Sequence, residues 1–485
     1  MSRFVFLCGV GLALIASAAG SCRAEASGSR PNVMLIMCDD LGWGDVGFNG
    51  NRVIQTPCLD EMAAAGLTFN RFYAAAPVCS PTRASCLTGR HPYRYGIFHA
   101  NSGHLPEREL TLAEALRKQG YATGHFGKWH LGTLTKTVAD SNRGGRRGTE
   151  HYSPPWENGF DICFSTEAKV PTWDPMLKPK RNARRTWWKP ISDPSEATPY
   201  GTYYWRNGER VTENLRGSDP RVITDRVVPF VEKAASREQP FLAVVWFHTP
   251  HLPVVAGPEY TKPYAEYDPY ARHYYGAITA MDEQVGRLRR TLRDLEIAEN
   301  TMLFFCSDNG PEGKKDAAPG SAGPFRGRKR SLYEGGIRVP ALLEWPARLA
   351  PGRVTDFPAC TSDYMPTILD VLGIAPPERP IDGISLLPVI EGRPSTRPRP
   401  ICFESRGQLA LIENRFKLIH VPDSRRESKK TPTVNLEFEL YDLLADPGES
   451  HDLAENHPQR VRRMASELAD WRESCAASRT GGDYE

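Results

Sequence analysis

An α/β fold with a large, mixed but mostly parallel central sheet flanked by helices is what this 485-residue sequence predicts. Three observations carry that expectation. Compact apolar runs recur at residues 33–37, 121–126, 241–247, 302–306 and 341–345. Stretches with helical apolar spacing lie between them, at 57–65, 110–119, 224–235 and 271–295. Polar, chemistry-bearing residues follow four of the apolar runs directly. A strand that is apolar on every residue is covered on both faces, and alternation with amphipathic helices supplies the crossovers of a parallel sheet.

The strand ends come next, because ligands gather beyond the carboxyl ends of parallel strands. The first run is followed by Asp39-Asp40 and the second by Gly127-Lys128-Trp129-His130. The third leads into His248-Thr249-Pro250-His251, and the fourth into Ser307-Asp308-Asn309-Gly310. Carboxylates, a carboxamide, histidines and a lysine therefore converge on one rim, the pattern of an active site.

Beyond the Pro- and Arg-rich stretch 392–400 the pattern changes. Residues 401–422 and 436–443 read as short alternating strands and 458–474 as a helix, a smaller unit with an antiparallel sheet and one helix. The chain thus divides into 1–26, a larger unit over 30–395 and a C-terminal unit over 396–485. The first segment reads as an address. Arg3 precedes apolar residues 4–18, and Ala24-Glu25-Ala26 offers a small-x-small cleavage site. It predicts export to the periplasm or outside the cell, with an uncleaved anchor or a lipid-modified Cys22 as the alternatives. No later stretch is long and apolar enough to cross a membrane.

A net charge of +3 is too small to argue for nucleic acid as a partner, so anion recognition must be local. Two of the eleven cysteines fall in 1–26, and the rest show no CxxC or zinc-like spacing. Cys38 and Cys306 lie within apolar runs and read as small buried hydrophobes, and the sequence assigns no disulfide.

One cysteine stands apart. The run Cys79-Ser80-Pro81-Thr82-Arg83-Ala84-Ser85-Cys86-Leu87-Thr88-Gly89-Arg90 puts proline in a first helical turn and arginine in the next. A helix starting there points free N–H groups at an anion. The run resembles the Cys-x-Pro-Ser/Thr-Arg signature of the type I, formylglycine-dependent sulfatases, of the arylsulfatase and N-acetylgalactosamine-6-sulfatase kind. Asp39-Asp40-Leu41-Gly42 resembles that family's D-D-x-G, Gly127 to Gly132 its G-K-W-H-L-G, and Asp308-Asn309-Gly310 its D-N-G. His251 matches its substrate-side histidine, and Lys329, four residues before Tyr333, its leaving-group lysine. Asp382 to Pro388 and Leu440 to Leu443 also resemble the family, so the likeness runs through nearly the whole chain. The departure is Arg330, where glycine is usual.

The resemblance implies an alkaline-phosphatase-like sandwich and a catalytic domain over 30–395. It implies that Cys79 is oxidised to formylglycine by a formylglycine-generating or sulfatase-maturating enzyme. Asp39, Asp40, Cys79, Asp308 and Asn309 would hold one cation, and oxygen ligands select a hard ion, Ca²⁺ before Mg²⁺. Arg83 would fasten the hydrated aldehyde, Lys128 would bind a sulfate oxygen, and His130 would take a proton from the second diol hydroxyl. His251 and Lys329 would serve the departing alcohol. A diol suits this reaction because one hydroxyl attacks sulfur while the other collapses to the aldehyde and expels sulfate.

The implied substrate is a sulfated carbohydrate. The sequence leaves two rivals, a phosphonate or phosphodiester hydrolase of the same superfamily and a catalytically inactive glycan-binding protein. It also leaves two readings of the insert over 133–220, rich in Trp, Tyr, Lys and Arg. Those residues form a wall for a sulfated glycan, or a loop whose tryptophans pack on the core. Glu167, Lys169 and His104 are pocket candidates without a motif.

Overall fold

The computed structural model describes residues 30–138, 149–181, 183–393, 396–422 and 437–484. The expected leader over 1–26, Cys22 included, lies outside them.

Ten strands form the central sheet. In chain order they are β1 (Asn32–Cys38), β2 (Leu67–Phe69), β3 (Ala122–Lys128), β4 (Ile162–Thr166), β5 (Trp205–Arg206), β6 (Glu209–Arg210), β7 (Phe241–Trp246), β8 (Thr301–Ser307), β9 (Ala341–Glu344) and β10 (Arg353–Thr355). Their spatial order is β10-β2-β9-β8-β1-β7-β3-β4-β5-β6. The five strands β8-β1-β7-β3-β4 are all parallel, and β9 returns antiparallel to β8. The apolar run at 341–345 is therefore a strand, but of the opposite sense. Alternation on β1 shows why the parallel strands are apolar throughout. Val33, Leu35 and Met37 enter one core and Met34, Ile36 and Cys38 the other.

Helices cover both faces. On one side pack α2 (Cys79–Thr88), α3 (Leu112–Arg117) and α6 (Tyr364–Val371), through Leu87, Leu116 and Ile368. On the other pack α1 (Pro57–Ala65), α4 (Asp219–Ala235) and α5 (Pro269–Asp294), through Met62, Val227 and Met281. Local chemistry sets their starts. Thr111 and Glu114 form a reciprocal capping box on α3, and the Asp268 carboxylate accepts from the Tyr270 and Ala271 N–H groups at the head of α5.

Within the insert, β4 is a fifth parallel strand, which the apolar pattern of the sequence does not reveal. It is short and mixes Ser and Thr with its apolar residues, so its period is weak. The aromatics after it mostly pack inward. Trp188 is buried, Trp187 stacks on His273 and Tyr204 stacks on Phe164 at 4.1 Å.

The C-terminal part is an antiparallel sheet of β11 (Ile401–Ser405), β12 (Gln408–Glu413), β13 (Phe416–His420) and β14 (Glu439–Asp442), with helix α7 (Pro458–Arg479). One face of the sheet, with Ala410, Ile412 and Ile419, packs on Leu332 and Ile337; the other, with Leu411 and Leu418, packs on Met464 and Leu468 of α7. A buried charge cluster bolts the first face down. Lys417 Nζ lies 3.0 Å from Glu334 and 2.8 Å from Glu449, all three without exposure at their charged ends.

His91 sits between α2 and α7, buried, with Nδ1 accepting from the Tyr93 N–H at 3.3 Å. Burial pushes its pKa from the ordinary 6.5 down to about 4, while Asp382 pulls up and Arg94 down. Between those values the folded protein keeps the ring neutral and the unfolded chain binds a proton there. This contribution to stability is whole above pH 6.5 and is lost as pH falls through about 4. Unfolding free energy should therefore fall more steeply from pH 7 to 4 in the wild type than in His91→Gln, by on the order of 3 kcal/mol. Parallel pH profiles in urea titrations would contradict this role for His91.

Candidate active site

The carboxyl ends of β1, β3, β7 and β8 bring together the residues the sequence placed there, and β4 adds Glu167 and Lys169. Chain geometry at these ends is demanding. Asp40 and His130 hold left-handed backbone, at φ 67° and 58°, which non-glycine residues adopt only when their surroundings fix them. Gly127 has no alternative, since a Cβ there would lie 1.9 Å from the Trp246 carbonyl oxygen.

Helix α2 delivers Cys79 at its first residue, and all ten of its residues are buried. Each position of the signature is tied down. Ser80 Oγ donates toward the carbonyls of His130 (2.6 Å) and Ala100 (2.7 Å). Thr82 Oγ1 accepts from the Ala76 N–H and donates back to the turn before the helix. Arg83 donates through Nε and Nη2 to Asp308 Oδ2 (3.1 and 2.6 Å) and through Nη1 to the Lys128 carbonyl (3.0 Å). Its guanidinium also lies 5.2 Å from the Trp246 ring centroid.

Lys128 Nζ donates to Asp39 Oδ2 at 2.6 Å, and Lys329 Nζ pairs with Asp40 Oδ1 at 2.7 Å. His251 Nε2 stands 3.6 Å from Asp40, while its Nδ1 bonds the Leu252 carbonyl oxygen at 2.8 Å. Asn309 donates its amide N–H to Asp40 Oδ1 at 2.7 Å. His248 belongs to the scaffold. It is fully buried and bridges Asp219 (2.8 Å) and Thr166 (2.7 Å). His104 lies aside from these groups, with Nδ1 3.3 Å from His151 Nδ1.

Electrostatics follow from this packing. Burial works to raise the Asp39 carboxyl, but Lys128, His251, Arg83 and Lys329 together hold it well below the carboxylate range. Burial and the Asp39 charge push Asp308 up, against Arg83. Burial pulls Lys329 down, yet Asp40, Cys79, Asp39 and Glu312 hold it above its ordinary value, so it stays an ammonium. Burial pushes the Cys79 thiol up by more than Lys128 and Lys329 lower it, so an unmodified thiol here is mostly protonated.

The acidic cluster can hold a metal ion. Ligand atoms of Asp39, Cys79 and Asp308 all lie within 4.8 Å of one another, as do those of Asp39, Asp40 and His251. Among the described residues Asp39 Oδ1 and Asn309 Oδ1 are buried without a hydrogen-bond partner, which is costly unless something else binds them. Over these groups opens a cleft of about 340 Å³. It is lined by Cys79, Lys128, His130, His251 and Lys329, and further out by Lys169, Arg185, Glu312 and Arg330. Glu312 was not legible beforehand; it joins the site by bridging Arg330 at 2.7 Å and Lys329 at 3.4 Å. Its one sequence signal is its place three residues after Asn309.

A rim of acids and cations at parallel strand ends, with one buried helix start aimed among them, defines a hydrolase for anionic esters on an α/β sheet. The description "Sulfatase" matches residues 31–374, and "N-sulphoglucosamine sulphohydrolase, C-terminal" matches 323–474. N-acetylgalactosamine-6-sulfatase of Canis lupus familiaris is 35% identical over 420 residues, covering 82% of this chain and 73% of that protein. Arylsulfatase G of Rattus norvegicus is 34% identical over 422 residues, covering 80% and 74%. Among solved structures, Ps i-CgsB in complex with k-i-k-neocarrahexaose matches with a TM-score of 0.74 at 26% identity, over 92% of this chain and 93% of that one. The chain belongs to the Sulfatase family, and it is a sulfuric ester hydrolase.

Arg83 makes three buried donor contacts that a lysine cannot reproduce. Arg83→Lys should lose about 1.5–3 kcal/mol for each charge-assisted bond it fails to remake, read as a lower midpoint in urea. An unchanged midpoint would mean that the pairing with Asp308 contributes nothing net to stability.

Proposed function

We propose that the protein removes sulfate from a sulfated carbohydrate, using formylglycine made from Cys79 and a Ca²⁺ ion held by Asp39, Asp40, Asp308, Asn309 and the residue at position 79. The observation that carries this reading is Cys79 itself. It is buried at the first turn of α2, among ligand atoms of Asp39 and Asp308 and facing a cleft lined by Lys128, His130, His251 and Lys329. The carbohydrate is favoured by relatives whose names specify N-acetylgalactosamine sulfate and by a matching structure that holds a neocarrahexaose. Ca²⁺ is favoured over Mg²⁺ because a cluster of protein oxygens suits the larger ion, whereas Mg²⁺ keeps several waters.

Formed from Cys79 and hydrated, the aldehyde would supply one hydroxyl to attack sulfur and a second whose deprotonation would release sulfate as the aldehyde re-forms. A cation held by Asp39, Asp40, Asp308 and Asn309 would supply positive charge to the ester's oxygens. The chain's own side chains do the rest. Lys128, oriented by Asp39, meets a sulfate oxygen, and Arg83 keeps Asp308 in place beneath residue 79. His130 accepts the proton of the second hydroxyl. On the opposite wall Lys329, kept charged by Asp40 and Glu312, meets the alcohol oxygen as it departs. His251 donates its Nδ1–H to the Leu252 carbonyl, which leaves Nε2 as an acceptor facing the alcohol portion. Export and maturation by a formylglycine-generating or sulfatase-maturating enzyme belong to the same proposal.

Two outcomes test it. Intact-mass analysis of active protein should show the Cys79 peptide lighter than its thiol form and reactive toward a hydrazide, and Cys79→Ser should lose multiple turnover on 4-nitrophenyl sulfate. Wild-type turnover by Cys79→Ser would remove formylglycine from the mechanism. Chelator-treated protein should gain stability when Ca²⁺ is restored, about 2.7 kcal/mol at a hundredfold excess over Kd, and Asp308→Asn should lose that gain. An equal gain in the variant would exclude Asp308 as a ligand.

A further inference from the structure

The cleft over Cys79 carries more positive charge than a single sulfate ester requires. In its floor the cations and carboxylates match. Arg83 pairs with Asp308, Lys128 with Asp39 and Lys329 with Asp40. At its mouth they do not. Glu312 is taken by Arg330 in a two-pronged pair, at 2.7 and 2.8 Å, and by Lys329 behind it. Lys169 and Arg185 line the same mouth, and neither makes a hydrogen bond or ion pair with any described residue.

Lys169 is the more telling of the two. It stands three residues beyond the end of β4, and its side chain is only partly exposed. Burial, with Lys128 and Lys329 as like-charged neighbours, holds its ammonium below the ordinary lysine range; Asp40 and Asp39 pull the other way but are already engaged. An ammonium kept half out of water beside two other cations is costly, and an anion that enters beside it relieves that cost.

Arg185 comes from the insert. It is exposed, yet its loop is anchored close by, where Trp187 stacks on His273 and Trp188 is buried. A guanidinium fork so held matches the paired oxygens of a carboxylate or a sulfate. Two cations from separate segments thus line the cleft alongside the groups that handle the reacting sulfate.

We propose that Lys169 and Arg185 form a second anion subsite, and that the preferred substrate is a sulfate ester whose alcohol portion bears another negative group, a second sulfate or a carboxylate. The proposal rests on the carbohydrate sulfatase reading above and narrows it. The second charge binds before and after the sulfur–oxygen bond breaks, so its effect falls on substrate affinity more than on the chemical step. Added salt weakens it, because Arg185 is open to solvent.

The test compares three sugars with the matured enzyme, in each sulfate-position isomer: a monosulfated hexosamine, the same sugar with a second sulfate, and the same monosulfated sugar linked to a uronate. At least one doubly charged substrate should exceed the singly charged one in kcat/KM by about tenfold or more, one good charge-assisted contact being worth that factor. Lys169→Met and Arg185→Met should each erase most of the preference through KM, and Lys169→Arg should restore part of it. The two doubly charged substrates distinguish sulfate from carboxylate. Turnover of the sugars with no preference, or variants that lose equally on all three, would overturn the subsite alone. Turnover of 4-nitrophenyl sulfate with none of the sugars processed would overturn the carbohydrate reading and the subsite with it.

Discussion

The contact between Arg83 and Asp308 is the constraint on which the rest of the site depends. It joins the first turns of the helix that carries Cys79 to the end of a central strand, wholly out of water. Buried charge is tolerated only when paired and hydrogen-bonded, and the remaining donors of Arg83 extend the demand to the Lys128 carbonyl and to Asp39. Lys128 then answers Asp39, and Lys329 answers Asp40. A set of charges that would be ruinous singly becomes a lattice in which each member fixes the next. Such preorganisation is what electrostatic catalysis requires, since the groups need not reorganise as charge develops on the ester.

Much of this was legible in the sequence, and the reason is geometric. A parallel strand buried on both faces announces itself as an unbroken apolar run, and the residue after it sits on the rim. Asp39, Lys128, His251 and Asp308 could therefore be placed on one surface before any coordinates. What was hidden has a physical reason too. The sense of β9 depends on which neighbour it pairs with, and its own residues do not encode that. β4 is brief and part-polar, so the strand end that delivers Lys169 passed as loop. Glu312 lies past a turn, where no period tells which way a side chain points.

Arg330 shows how far a residue pattern can be read. The likeness to the family flagged it as a substitution for glycine, and its backbone indeed holds φ 77°, where glycine is at ease and arginine is strained. The strain is held by contacts on both sides. Its N–H donates to the Pro77 carbonyl and its carbonyl accepts from Gln408, while its side chain grips Glu312. A departure from pattern has become a wall of the cleft.

Those supports come from late in the chain. Gln408 also accepts from the Leu332 N–H, and Glu449 accepts from the Glu334 N–H beside Lys417. The loop bearing Lys329 thus takes part of its support from residues that leave the ribosome well after it. During synthesis Asp39 and Asp308 emerge well before Gln408 and Glu449. A chain broken off before Gln408 would keep Asp39, Asp40, Asp308 and Asn309 but lack the bonds that Gln408 makes to the Leu332 N–H and the Arg330 carbonyl, so the two sides of one cleft are completed at different points of the chain.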